Sequence, residues 1–261
     1  WISIGPFSLQ PSELAKIGII LFLAAYISSK SREMRQWKKM VIPFLFAIPI
    51  IVIVGIENLS TCIILLAISF IMIFVATPLW VPFVVIGLIG VAGAGGLLLT
   101  QGYRMERITV WLDPAASEKG HQTIQGLYAI GSGGLFGKGL GQSMQKLGFL
   151  PEANNDMIFS VICEELGLFG ALCVLALFFA LIWRFMVIAV NAPDLYGSMI
   201  VVGVIAHIGI QVFINIAVAT NTIPNTGIPL PFIGYGGSSL VFMLLEMGLV
   251  LSVSRYINVK K

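Results

Sequence analysis

Seven runs of apolar residues, each close to the length that crosses a bilayer, constrain this chain more than any other feature. They fall near 13–29, 41–57, 61–77, 80–100, 158–184, 196–219 and 236–254. A transmembrane helix needs about 20 such residues, and within hydrocarbon only a helix or a closed barrel satisfies its own backbone. Apolar residues make up 58% of the 261 and charged residues only 10%, against about 25% charged in a soluble domain. A water-soluble fold of this size has no means of hiding so much apolar surface. The expected fold class is all-α: a polytopic membrane helix bundle, one domain over 1–261. The net charge of +3 gives no sign of a nucleic-acid partner.

Lys and Arg in short connections set the orientation. The connection after the first run carries Lys30, Arg32, Arg35, Lys38 and Lys39, and the C-terminal tail carries Arg255, Lys260 and Lys261. Six crossings separate them, so both are expected on the cytoplasmic side. The N-terminus, the long segment 101–157 and the segment 220–235 are then expected outside. Trp1 opens the chain without a charged leader or an initiator Met, so the sequence reads as part of a longer protein. Cys62, Cys163 and Cys173 lie in apolar runs without metal-ligand spacing and read as small buried hydrophobes.

The segment 101–157 is long for a connection, and such lengths are usually functional. It is polar from Gln101 to Gln122 and glycine-rich from Gly126 to Gly148, and 123–130 has helical apolar spacing suited to a membrane surface. Asp156 ends it, just before an apolar helix. An Asp there is either a helix N-cap or a carboxylate placed at the membrane boundary to act as a base. Glu164 lies eight residues on, on the same helical face, so one cavity would hold both; a carboxylate at that depth is a functional hypothesis, or a buried partner for a cation or backbone group.

Glu13 and Lys16, spaced i, i+3, read as a local pair. Arg104 and Arg107 share a face, which suits a phosphate or diphosphate or ordinary interfacial snorkelling. His207, Gln211 and Asn215 form a polar stripe, better suited to interhelical hydrogen bonds than to catalysis. Residues 131–139 lack the spacing of a phosphate-binding loop. The broken stretch 227–239 is the kind of backbone tolerated at a membrane where it is buried or lines a cavity.

Several blocks resemble one family. Trp1-Ile-Ser-Ile-Gly5 with Gln10-Pro-Ser-Glu13-Leu-Ala-Lys16 is one. Arg104-Met-Glu-Arg107-Ile through Leu112-Asp-Pro114 is a second, and Gln122-Thr-Ile-Gln125 onward to Gln142 a third. Pro151-Glu-Ala through Asp156-Met-Ile-Phe159, then Glu164-Glu-Leu-Gly167, is a fourth; Pro224-Asn-Thr-Gly227 through Ser238-Ser239 is the last. In this order they resemble the SEDS family of cell-wall glycan polymerases (the FtsW/RodA/SpoVE type), and the wording of 221–227 resembles the division and sporulation branch. Asn154-Asn155 stand where many members have His-Thr, Gly234 where Ser is usual, and 57–61 differ from the common P-D-L-G-T.

The resemblance implies a fold of ten helices, of which this chain would hold the last seven. It implies polymerisation of lipid II, the undecaprenyl-diphosphate-linked disaccharide pentapeptide, at the outer face of the bacterial cytoplasmic membrane. The family's essential loop aspartate falls on Asp156, as general base or as ligand of a magnesium or manganese ion; no organic cofactor is implied. Arg104 and Arg107 would neutralise the diphosphate. Trp1, Gln10, Glu13, Lys16, Gln122, Gln125, Glu164, Ser238 and Ser239 would bind substrate. A class B penicillin-binding protein transpeptidase is the implied partner. A lipid II flippase and a membrane scaffold for the transpeptidase are the alternatives.

Overall fold

In the computed structural model, the described residues are 2–4, 7–77, 84, 87, 102–117 and 120–257. Among them are eight α-helices: α1 (Pro11–Ser29), α2 (Trp37–Glu57), α3 (Leu59–Ala76), α4 (Gly102–Leu112), α5 (His121–Ser132), α6 (Ile158–Asn191), α7 (Leu195–Ala219) and α8 (Gly237–Arg255). Six of them, all but α4 and α5, are long and apolar enough to cross a membrane. The expected span at 80–100 lies, apart from Val84 and Gly87, outside the described residues. The chain is a multi-pass membrane helix bundle. Its only described strands, β1 (Ile2–Ile4) and β2 (Phe7–Leu9), form a small antiparallel hairpin before α1.

The residues group into two packed units. The first holds the hairpin, α1 to α3, the 181–210 stretch of α6 and α7, and α8. Asn58 ends α2 and caps α3, its side chain accepting the Thr61 N–H at 3.0 Å. Ile20, Leu23, Leu65, Ile68 and Met72 are wholly buried. A Cβ at Gly203 would stand 2.6 Å from Ile20 Cγ2 and 3.0 Å from Met72 Sδ, so only glycine lets these helices approach. Polar groups turn inward: His207 Nδ1 lies 2.9 Å from both Glu246 oxygens, and Lys16 pairs with Glu13 at 2.8 Å, all buried. Apolar groups such as Leu45, Phe46, Ile53 and Ile56 on α2 face outward. That inversion is what a lipid solvent permits.

The second unit spans 88–180 and 211–235, with α4, α5, the first part of α6 and the end of α7. Its central device is an interruption of α6. Gly167 adopts φ 67°, ψ −167°, a conformation open to glycine almost alone. A break inside a helix strands backbone groups that need partners. The glycine-rich segment supplies them. Lys138 and Gly139 donate their N–H groups to the Glu164 and Glu165 carbonyls, each at 2.9 Å; Leu168 and Phe169 donate to the Gly134 and Leu135 carbonyls at 2.9 and 3.0 Å.

Candidate active site

Asp156 closes a turn in which Glu152 takes φ 53°, and it is 6% exposed. It does not cap α6. The first carbonyl to accept from that helix is Met157, from Ser160 and Val161, while the Asp156 carboxylate receives Gln122. The Gln122 Nε2 group lies 3.3 and 3.4 Å from the two carboxylate oxygens.

That amide is itself oriented. Gly227 donates its N–H to Asn225 Oδ1 at 2.8 Å, which leaves the Asn225 NH₂ to donate to Gln122 Oε1 at 3.0 Å. The Gln122 NH₂ therefore has to face Asp156. From below, Asn215 Nδ2 donates to the Asp156 carbonyl at 2.8 Å and the Ile228 carbonyl at 2.9 Å, joining the aspartate's backbone to the 228–235 segment. Tyr235 donates its N–H to the Asn154 carbonyl at 2.7 Å. A Cβ at position 234 would meet Pro229 Cβ at 2.7 Å and the Asn155 carbonyl at 3.0 Å, so glycine fits here.

These groups open on a cavity of about 400 Å³ lined by Arg107, Trp111, Gln122, Glu152, Asp156 and Asn225, among others. α4 forms one wall. Trp111 Nε1 donates to the Asn221 carbonyl at 3.0 Å, and Arg107 donates to the Asn225 carbonyl at 3.3 Å. Burial pushes the Asp156 carboxyl up to about 6, and the neighbouring Glu152 charge adds to the rise, while its own backbone N–H and the Asn225 and Gln122 amides oppose it. A buried carboxylate with a raised pKa, in a cavity that a cation also lines and that has room for a ligand, can take a proton near neutral pH.

Glu164, expected in one cavity with Asp156, is not among that cavity's lining residues. Its carboxylate is fully buried and saturated by the glycine-rich segment: Lys138 Nζ at 2.6 Å, the Ser143 hydroxyl, and the Met144 and Gln145 N–H groups. Its buried-partner reading is the one that describes the structure, because the segment it anchors offers a cation and three further donors at that depth. Gln125 is half-buried on α5, two residues past the cavity-lining Gln122 and Thr123 pair. Gln10, Glu13, Lys16, Ser238 and Ser239 belong to the first unit; Gln10 precedes α1 without a side-chain cap, and the two serines open α8. Trp1 and the Arg104 side chain lie outside the described residues. Sequence reasoning did not single out Asn225, although its motif was visible; the signal was an amide two residues before a glycine, the spacing of an Asx turn. Glu152 was passed over in the same way.

Known proteins resemble this chain along nearly its whole length. The description of the FtsW/RodA/SpoVE family, "Cell cycle protein", matches residues 1–259. Stage V sporulation protein E of Bacillus subtilis is 48% identical over 262 residues, covering 98% of this chain and 71% of that protein. A probable peptidoglycan glycosyltransferase FtsW of Geobacter sp. is 36% identical over 258 residues, covering 97% and 70%. Among solved structures, a chain of a peptidoglycan synthase complex that coordinates polymerization and crosslinking superposes with a TM-score of 0.79 at 28% identity, covering 100% of this chain and 74% of that one. The rod shape determining protein RodA of Thermus thermophilus superposes with a TM-score of 0.69 at 30% identity, covering 98% and 69%.

Proposed function

The chain belongs to the FtsW/RodA/SpoVE family of cell cycle proteins, and on that premise we propose that Asp156 is the general base of its glycosyl transfer. The protein is a peptidoglycan glycosyltransferase that polymerises lipid II into glycan. The observation that carries the proposal is the buried Asp156 carboxylate, aimed into a cavity and held by an oriented amide.

In the reaction, an acceptor sugar hydroxyl gives its proton to an Asp156 oxygen as its own oxygen attacks the donor's anomeric carbon. The bond from that carbon to the diphosphate breaks, and undecaprenyl diphosphate leaves with the electron pair, inverting the centre. Arg107, on the cavity wall, faces the charge that develops there. Among the described residues no group of three His, Cys, Asp or Glu would hold a metal on protein ligands alone. Asp156 and Glu152 line the cavity together, and magnesium or manganese sites built from one or two carboxylates and completed by substrate phosphates fit that donor set. Such an ion, held by Asp156 and Glu152, would supply neutralisation of the diphosphate.

The basic residues of the first connection and the tail orient the bundle with this cavity outside the bacterial cytoplasmic membrane. Relatedness to stage V sporulation protein E, and the 221–227 wording, favour a role in division or sporulation. A class B penicillin-binding protein that crosslinks the glycan is the partner this reading implies; the likeness to a chain of a peptidoglycan synthase complex supports it.

The test is polymerisation of labelled lipid II by the full-length protein with its partner and a divalent cation, with products resolved by gel. A ladder of glycan is expected; translocated but unpolymerised lipid II would overturn the reading. Because Asp156 must be ionised to accept a proton, the rate is expected to rise with pH through about 6 and level off above it. A profile flat from pH 5 to 8 would remove Asp156 from the proton transfer. Asn225→Ala frees the Gln122 amide to turn over, so turnover is expected to fall roughly tenfold, the worth of one misdirected hydrogen bond of about 1.4 kcal/mol, with KM for lipid II little changed. A variant as fast as the parent at saturating substrate would show that the amide chain does not orient the base.

A further inference from the structure

The glycine-rich segment 134–149 is turned inside out for a loop in water. Its two charged residues, Lys138 and Lys146, are both spent inward, on Glu164 and Glu165. Gly141 and Ser143 add their N–H groups to Glu165. Outward stand Leu135, Phe136, Leu140, Leu147 and Phe149, with Phe136 81% and Leu140 76% exposed. A soluble surface rarely shows so many large apolar side chains within one short segment.

The same segment is fixed in height. It is hydrogen-bonded through Gly134 and Leu135 to Leu168 and Phe169, just past the break in α6. Residues 168–191 alone form a rod of about 36 Å at 1.5 Å per residue, more than the roughly 30 Å of a hydrocarbon core. That rod can cross without the residues before the break, which lets the break stand at a membrane boundary with the segment beside it. Leu168, Phe169 and Leu172 are themselves exposed on the lipid-crossing helix, and the first two are bonded to the segment, so apolar groups available to lipid stand on both sides of the junction.

We propose that segment 134–149 is an interfacial anchor: it lies in the headgroup region of the bilayer with Leu135, Phe136, Leu140, Leu147 and Phe149 in the acyl boundary. An apolar face of this kind reaches about 5–10 Å below the headgroups. The inward pairing of both lysines is what makes that placement electrostatically tolerable, since no unpaired charge is carried into lipid. The anchor is independent of the assignment of Asp156.

Depth is measured on the full-length protein, with the exposed Cys173 replaced by Ala and the buried Cys62 and Cys163 retained. Phe136→Cys and, separately, Leu140→Cys are spin-labelled and reconstituted in phosphatidylethanolamine–phosphatidylglycerol vesicles. Collision rates with oxygen, which partitions into lipid, and with a water-soluble nickel chelate are compared. Leu177→Cys on α6 serves as the lipid reference and Lys30→Cys as the aqueous one. Both segment positions are expected to favour oxygen severalfold, as Leu177 does. A nickel-dominated response like that at Lys30 overturns the proposal by placing the segment in water. Suppression of both collisions overturns it by showing that a protein surface, the partner's or another part of this chain, covers the patch instead.

Discussion

Asp156→Asn is expected to stop glycan polymerisation while leaving the protein folded and more stable near neutral pH. The substitution keeps the shape of the side chain and still offers an oxygen to Gln122 Nε2, so the cavity has no reason to collapse. What goes is the base. General-base catalysis contributes typically 10²–10⁴-fold, so the lipid II ladder should shrink by at least two orders of magnitude. The stability change has the opposite sign. Burial raises the carboxyl from its ordinary 3.8 to about 6 in the folded protein. The folded state then binds a proton that the unfolded state has released, and stability falls as pH rises from about 4 through 6. Above 6 the full cost is present, on the order of 3 kcal/mol if none of the strain relaxes. Asn carries no such cost. Thermal unfolding in a chelator should show parent and variant alike near pH 4, with the variant unfolding at the higher temperature by pH 7. An inactive variant that is also less stable at pH 7 would mean that Asp156 holds the fold instead of being strained by it. Retained activity would end its assignment as the base.

Gly167→Ala should be the most damaging single change outside the cavity. Its φ of 67° is strained for any residue with a side chain, and the added Cβ would stand 2.3 Å from the Gly137 nitrogen and 2.6 Å from the Leu135 carbonyl. Those atoms belong to main chain already fixed by hydrogen bonds, so nothing flexible can yield. Either the helix straightens or the segment leaves, and in both cases the Glu164 and Glu165 carboxylates lose buried partners. A cost on the order of 4 kcal/mol follows, at the upper end for one substitution, or roughly 10 °C in midpoint for a chain of this size. With the exposed Cys173 replaced by Ala, a thiol-reactive fluorophore reports it, since Cys62 and Cys163 are buried until the protein opens. Gly131→Ala is the control: nothing lies within 4 Å of its Cβ and it sits within helix α5, so it should be neutral or slightly stabilising. An unshifted midpoint for Gly167→Ala would mean that the break does not depend on the segment packed into it.

The spans were legible because bilayer thickness dictates their length. The runs at 13–29, 196–219 and 236–254 fall on Pro11–Ser29, Leu195–Ala219 and Gly237–Arg255 with ends displaced by a residue or two. The break in α6 was not legible. Glu-Glu-Leu-Gly-Leu-Phe has the composition of an unbroken helix, and only the approach of residues 134–139, some thirty positions earlier, requires Gly167 to leave it. The polar stripe of His207, Gln211 and Asn215 was visible as spacing, and its use in hydrogen bonding matches. Its partners were not: Asn215 serves the backbone under Asp156, and Gln211 donates to the Pro229 carbonyl at 3.0 Å. Asp156 itself stood out because charge is rare beside an apolar run. Gln122 and Asn225 reach it across gaps of 34 and 69 positions, which no local pattern encodes.

The interrupted helix also orders the events of synthesis. Residues 134–139 emerge before α6 does, but the Lys138 and Gly139 N–H groups and the Gly134 and Leu135 carbonyls wait for their partners until Glu164 to Phe169 arrive. Conversely, the apolar stretch after Gly167 can enter the membrane by hydrophobicity alone, carrying a ragged upper end whose backbone groups water must satisfy in the meantime. Closing the seam is then a late step, complete only once the segment and both halves of the helix are in place.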